Sequence, residues 1–241
     1  MKSKRAKPTV EIFRNSILNQ IELPERARIV KMLTKVPLSF EQVVYQKDRP
    51  IRHVYFVESG VVSIVNKLSD GTIIEVATVG NEGMLGLPVF LRGSKTSLMA
   101  FAQIPGEAWR MKAEDLARIT QDGSQLRTSL TRYVQALMTQ IAQAATCNRI
   151  HSIEERAARW ILMTHDRVGV DDFPLTHKFL AQMLGVRRAG VSEVMARLQR
   201  SGLLRYVRGR VTVLNRKGLE KTACECYRVI REEFRRLVGA P

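Results

Sequence analysis

Cysteine is scarce in this chain: three residues, Cys147, Cys224 and Cys226, in 241. Three thiols make no disulfide framework and fit a reducing, cytoplasmic setting. Histidine is scarce as well, and His53, His151, His165 and His177 show no zinc-type pairing in sequence. Cys224 and Cys226 lie two apart in a segment of helical character, 218–238, where neighbours at that spacing point to different sides. No metal and no cofactor are therefore expected. Long apolar runs are missing too, and none approaches the ~20 residues that cross a bilayer, so no membrane partner is expected. The basic start, Met1-Lys-Ser-Lys-Arg-Ala-Lys-Pro8, has no apolar stretch behind it and reads as a tail over 1–10 rather than a secretory signal. No Ser-His-Asp arrangement, Walker loop or HExxH pattern is present, which argues against an enzyme. Acidic residues are outnumbered, 23 against 39 Lys and Arg, for a net charge of +16. That excess suits a polyanion.

What the chain does contain is a helix-turn-helix pattern. Thr176 is placed to cap a helix whose apolar stripe is Phe179, Leu180, Met183 and Leu184, and Gly185 ends it. A second helix, from about Arg188 to Gln199, would bury Val191, Val194, Met195 and Leu198 and turn Arg187, Arg188, Ser192, Glu193 and Arg197 toward a major groove. Strands 204–207 and 211–214 flank Arg208-Gly209-Arg210, a hairpin tip with a basic residue on each side of glycine. The expected DNA-facing set is thus Thr176, Arg187, Arg188, Ser192, Glu193, Arg197, Arg208 and Arg210. Between Arg187 and Lys217 there are nine basic residues and one acid, Glu193, a density suited to phosphate contacts. The helix-turn-helix is what favours duplex DNA over RNA or another anionic surface.

Upstream, the residues from 37 to 109 break into short β-rich segments punctuated by glycine. Val54–Val57 and Val61–Val65 around Glu58-Ser-Gly60 predict one hairpin, and Asp70-Gly71 predicts the next. Such spacing suggests a β-sandwich or roll. From Leu116 the pattern turns helical, and Leu130, Val134, Leu137, Ile141, Ala144 and Asn148 fall in an a/d heptad seam. A seam of this kind asks for a partner helix, read here as the same helix of a second copy; packing on the chain's own β-domain is the other reading. Ser152-Ile-Glu-Glu155 predicts a capping box and leaves a hinge near 149–152.

A β-roll, a long helix and a winged helix-turn-helix in this order resemble the Crp/Fnr superfamily of bacterial transcription regulators. The resemblance runs from about Glu11 to Arg216 and is most specific in Phe179–Val186 with its following helix, in Val57–Gly60, and in Gly80–Leu87. It implies an α+β chain: a basic tail over 1–10, a cyclic-nucleotide-binding-like domain over 11–115, a dimerisation helix over 116–150 and a winged helix-turn-helix over 151–241. Relatives that bind cyclic AMP carry Gly-Glu-x-x-x-Leu and, further on, Arg-Ser, for the ribose hydroxyl and the cyclic phosphate. Here the corresponding positions are Gly83, Met84 and Leu85, with Lys95, Thr96 and Ser97 at the far end. Met84 cannot accept as a carboxylate does, and Thr96 offers no charged fork, so a degenerate ligand pocket is expected. The oxygen-sensing branch needs four cysteine ligands, more than this chain has; His53 is the one candidate for a haem ligand. In the second helix Ala189 and Glu193 replace the Glu and Arg that read the common half-site. The expected protein is a cytoplasmic homodimer on a palindromic operator in double-stranded DNA, with RNA polymerase and an unidentified small effector as further candidate partners. Two rivals remain: a nucleotide- or other ligand-gated regulator of the same build, and an RNA- or protein-binding module.

Overall fold

The computed structural model describes residues 12–120 and 123–239; the basic tail lies outside the described residues. Two short helices, α1 (Ser16–Asn19) and α2 (Glu25–Val30), lead into the β-domain. Asn15 fastens them to it. Its side chain caps α1 by accepting from Leu18 N, while its Nδ2 donates to the carbonyls of Val57 and Gly83 at 2.8 and 2.9 Å.

The β-domain is a six-stranded antiparallel roll built from β1 (Thr34–Leu38), β2 (Val43–Tyr45), β3 (His53–Lys67), β4 (Ile73–Val79), β5 (Met84–Leu85) and β6 (Met99–Lys112). The short helix α3 (Leu87–Phe90) lies between the last two. The path runs β1-β6-β3-β4, with β2 also on β6 and β5 also on β3. Asp70-Gly71 turns β3 into β4 as expected: Asp70 accepts from Thr72 N at 2.8 Å, and Gly71 takes φ +85°.

The expected hairpin at Glu58-Ser-Gly60 does not form. β3 continues through it as one 15-residue strand, and its register against β6 shifts at Val57/Ser59 and Ser59/Val61. Gly60 and Gly106 let the two strands bend together there. A Cβ at Gly106 would stand 2.1 Å from the Ser59 carbonyl oxygen, and one at Gly60 2.6 Å from that of Ile104. Glycine here marks a bulge rather than a turn.

Helix α4 (Ala113–Ile119) closes the roll and is separate from α5 (Gln125–Ile150), so the single helix expected from 116 is in fact two. Ser124 caps α5 by accepting from Arg127 N at 3.1 Å. The heptad seam is likewise divided. Leu130, Leu137 and Ala144 are buried within the chain, with Leu126, Tyr133, Ala136 and Gln140, so they cannot face a second copy. Val134, Ile141 and Asn148 lie toward the open side beside Met138, which is 65% exposed. Next come α6 (Ile153–Val168), opened by the Ser152/Glu155 capping box and closed by left-handed Gly169, and β7 (Asp172–Pro174). The helix-turn-helix is α7 (His177–Leu184) and α8 (Arg188–Arg200). Strands β8 (Leu204–Val207) and β9 (Arg210–Val213) complete a three-stranded sheet in the order β7-β9-β8. Helices α9 (Arg216–Thr222) and α10 (Glu225–Val238) finish the chain, α10 lying along α5. No helix among the described residues is long and apolar enough to cross a membrane.

Candidate nucleic-acid interface

The second helix of the pair is positioned from its buried side. Val191, Val194, Met195 and Leu198 are all nearly inaccessible, which leaves Ala189, Glu193, Ala196 and Arg200 outward and Arg188, Ser192 and Arg197 on the flanks. Gly185 supplies the left-handed turn, φ +64°, and Val186 N returns to the Ala181 carbonyl at 3.0 Å. Thr176 caps α7 as expected, accepting from Phe179 N at 3.1 Å, so its hydroxyl oxygen is already engaged.

The eight expected DNA-facing residues do not all stand free. Arg187 and Arg188 are exposed at the start of α8, and Arg208 is exposed at the wing tip. Arg208 and Gly209 form a two-residue hairpin loop with φ +49° and +77°. Arg210, by contrast, opens β9 and grips Asp172, its Nε 2.8 Å from Oδ2. The hydrogen bonds from Arg210 and Thr212 hold the Asp172 carboxyl below the ordinary carboxylate range. Arg197 is bound to Glu154 of α6 at 2.8 Å, on the side of α8 that faces the hinge. Ser192 Oγ lies 3.0 Å from His177 Nδ1, and the His177 ring stacks on Tyr206 at 4.2 Å. One histidine therefore joins α7, α8 and the wing. Burial and the Arg188 charge push its pKa down, so the neutral ring is favoured.

The reader is also tied to the roll. Phe179 meets Phe101 of β6 and Trp160 of α6 edge-on, at 6.3 and 6.2 Å. Trp160 Nε1 donates to Glu75 Oε1 at 2.8 Å. Glu75 Oε2 is 2.7 Å from Ser63 Oγ, which is itself 2.5 Å from Gln103 Oε1. Ser63 Oγ donates to Glu75, and the Gln103 amide, whose Nε2 otherwise has no partner, donates to Ser63 once its oxygen and nitrogen are exchanged; burial pushes the Glu75 pKa up to about 7. Arg167 of α6 reaches back to Glu82 at 2.8 Å, both side chains less than a tenth exposed. A groove of about 460 Å³ lies between the β3–β4 turn and the helix-turn-helix, bordered by Ile74, Gln182, Gly185 and Arg187.

In the ligand-pocket region Gly83, Met84 and Leu85 are buried, Met84 only 1% exposed, whereas Lys95 and Ser97 stand in an exposed loop with Thr96 half-buried beside them. The Tyr133 ring of α5 presses on Gly83 so closely that a Cβ there would lie 2.5 Å from its Oη.

Sequence reasoning missed His177 as a junction, the Glu75 and Glu82 contacts, and a cluster of thiols. Its placing of Cys224 and Cys226 on opposite sides of one helix is corrected: Cys224 is the extended cap of α10, φ −67° and ψ 163°, so both sulfurs turn the same way. They meet Cys147 and His151. The spacing Cys147-x-x-x-His151 at a helix end was the available signal, since residues four apart share a face.

The family comparisons agree with the two-part build. Residues 36–122 match the cyclic nucleotide-binding domain, and residues 155–222 match the Crp-like helix-turn-helix domain. A transcriptional regulator, LdrP of Thermus thermophilus, is 25% identical over 197 residues, 76% of this chain and 93% of that protein. Among solved structures, FixK2 of Bradyrhizobium japonicum superposes with a TM-score of 0.69 at 21% identity, covering 80% of this chain and 98% of its own. A CooA mutant of Carboxydothermus hydrogenoformans gives 0.61 at 15% identity, covering 90% and 97%.

Proposed function

Since the chain joins a cyclic nucleotide-binding domain to a Crp-like helix-turn-helix, it belongs to the Crp/Fnr family of transcription regulators, and from that premise we propose a cytoplasmic homodimer that reads duplex DNA with α8 and the wing and does not respond to cyclic AMP. The observation that carries the DNA reading is α8 itself. Its inner face is fixed by four buried apolar residues, and Arg187, Arg188 and Arg200 stand exposed around its outer one. Small Ala189 and Ala196 let the helix lie close to base edges, and Glu193 between them can accept from a cytosine amino group. Arg208 at the wing tip adds a phosphate contact outside the groove.

The open side of α5 supplies the dimer. Val134, Met138, Ile141 and Ala145 make an accessible row at three- and four-residue spacing. A two-fold axis along this row sets two copies of α8 on one face of a duplex, about one helical turn apart, and so calls for a palindromic operator.

The absent cyclic AMP response rests on Met84. Its buried thioether gives a ribose hydroxyl no carboxylate, and Thr96 brings no guanidinium to a phosphate. Losing such partners costs about 2–5 kcal/mol each. Genome-wide mapping of binding sites, followed by titration of the recovered operator, tests the proposal. Duplex should be preferred over the single strand, affinity should fall steeply with salt, and cyclic AMP should change neither affinity nor melting temperature. Equal binding to single and double strands would overturn the DNA reading; a micromolar cyclic AMP affinity with tighter operator binding would overturn the ungated one.

A further inference from the structure

The buried thiol cluster includes no residue of α8 or of the roll's ligand region, and neither the DNA reading nor the dimer makes use of it. Cys147 and His151 come from the last turn and cap of α5; Cys224 and Cys226 come from the start of α10. The four ligand atoms lie within 4.8 Å of one another. Sγ of Cys147 and Cys224 are 3.4 Å apart, and Sγ of Cys226 is 3.7 Å from His151 Nδ1. A tetrahedral zinc ion with Zn–S ~2.3 Å and Zn–N ~2.0–2.1 Å spaces its ligands about 3.5–3.8 Å apart. An iron–sulfur cluster would hold its thiolates much further from one another.

We propose that Cys147, His151, Cys224 and Cys226 form a closed tetrahedral site for a single zinc-class divalent ion. Three surroundings support it. The outer nitrogen of His151, Nε2, is 3.2 Å from the Glu225 carboxylate, which turns Nδ1 inward as a ligand in the way metal-bound histidines are oriented. Arg156 and Arg159 are buried, and among the described residues neither has a carboxylate within ion-pairing distance; the Nε of each finds no acceptor. Three thiolates, one neutral imidazole and a dication carry a net charge of −1, which offsets one of those two guanidinium charges. No coordination position is left for water or substrate, so the ion is a fastening rather than a reaction centre. Filling the site releases the remaining thiol protons to solvent and changes no oxidation state.

The two halves of the site bracket the reader. Cys147 and Cys224 are 77 residues apart, and α6 through α9 lie between His151 and Cys224. The ion would pin the reader's entry and exit to one end of α5 and so set the angle at the hinge.

The test uses the full chain, reduced and then loaded with Zn²⁺ or Co²⁺. After gel filtration one zinc per chain should remain, and cobalt should give the intense charge-transfer and ligand-field absorption of a tetrahedral thiolate site, bleached by added Zn²⁺. Cys226→Ser should abolish that spectrum. Glu225→Gln, an exposed change that leaves the core untouched, should weaken zinc about 10–100-fold. Failure of the native chain to retain zinc, a pale octahedral cobalt spectrum, or equal retention by Cys226→Ser would each overturn the site. So would a Cys147–Cys224 disulfide that forms as fast with zinc as without it.

Discussion

Glu75 carries the most consequential single charge at the junction of roll and reader, because Trp160 of the reader donates to it. Its pKa is raised from an ordinary 4.5 to about 7, chiefly by burial, with Ser63, Trp160, Arg159 and Arg167 pulling the other way. As pH rises, the unfolded chain gives up this proton first. The stabilisation is therefore full below about 4.5 and is lost as pH climbs through about 7. Melting temperature should fall across that window, by at most about 1.4 kcal/mol of stability per pH unit for one proton. Glu75→Gln, whose amide can donate to Ser63, should flatten the slope and melt higher than the parent at pH 8. An unchanged slope in thermal scans would mean that other groups govern the window. At the same scale the DNA arginines separate. Arg188→Ala should weaken operator binding by ~1–3 kcal/mol and relax one base position. Arg197→Ala should act mainly through its exposed pair with Glu154, worth about 0–1 kcal/mol of folding stability, and should leave base preference intact in a binding-site selection.

Elements show what the sequence could and could not convey. The helix-turn-helix was legible almost residue by residue, because its caps are local: Thr176, Gly185 and the Ser152/Glu155 box each act within four positions. The bend in β3 was not, since Glu58-Ser-Gly60 has turn chemistry and only the presence of β6 beside it turns that chemistry into a bulge. Helix α5 failed differently. It carries two apolar rows, and periodicity locates both without saying which one the chain itself covers. Leu130, Leu137 and Ala144 belong to the inner row, Val134, Met138 and Ile141 to the outer. Substitution separates them. Met138→Asp should leave the fold and circular dichroism intact while sedimentation shows a monomer, because an unpaired charge in the proposed dimer seam costs about 3–5 kcal/mol. Leu137→Asp should instead lower the melting temperature of the chain itself. A dimer that survives Met138→Asp would place the interface elsewhere.

At the scale of the whole molecule, the two parts form one body with a continuous apolar core, and a second polar joint beside Trp160–Glu75 crosses it, Arg167 with Glu82. Arg167 also donates to the Thr78 carbonyl and to Gln140 of α5, both at 3.3 Å, so roll, long helix and reader meet at one guanidinium. Gly80 N in turn donates to Glu82, holding the carboxylate from the roll side. A buried pair of this kind contributes little net energy against an apolar replacement, but breaking it from one side leaves a charge stranded. Glu82→Leu alone should therefore destabilise by about 3–5 kcal/mol. Glu82→Leu with Arg167→Met should recover most of that loss, giving a coupling energy well above the ~0.5 kcal/mol expected of independent sites. The double variant is the informative protein. It retains the core and the Trp160–Glu75 bond yet lacks the ion pair that fixes the Arg167 end of α6 against the roll, so amide exchange should rise at that end of the β4–α6 contact while the caps of α7 and α8 stay protected. Operator affinity should change in that variant although no DNA-facing residue has been altered, because the orientation of the two reading helices depends on how α6 is held. Parent-like exchange and parent-like operator affinity together would show that apolar packing and the Trp160–Glu75 bond suffice to fix the reader and that this ion pair transmits nothing.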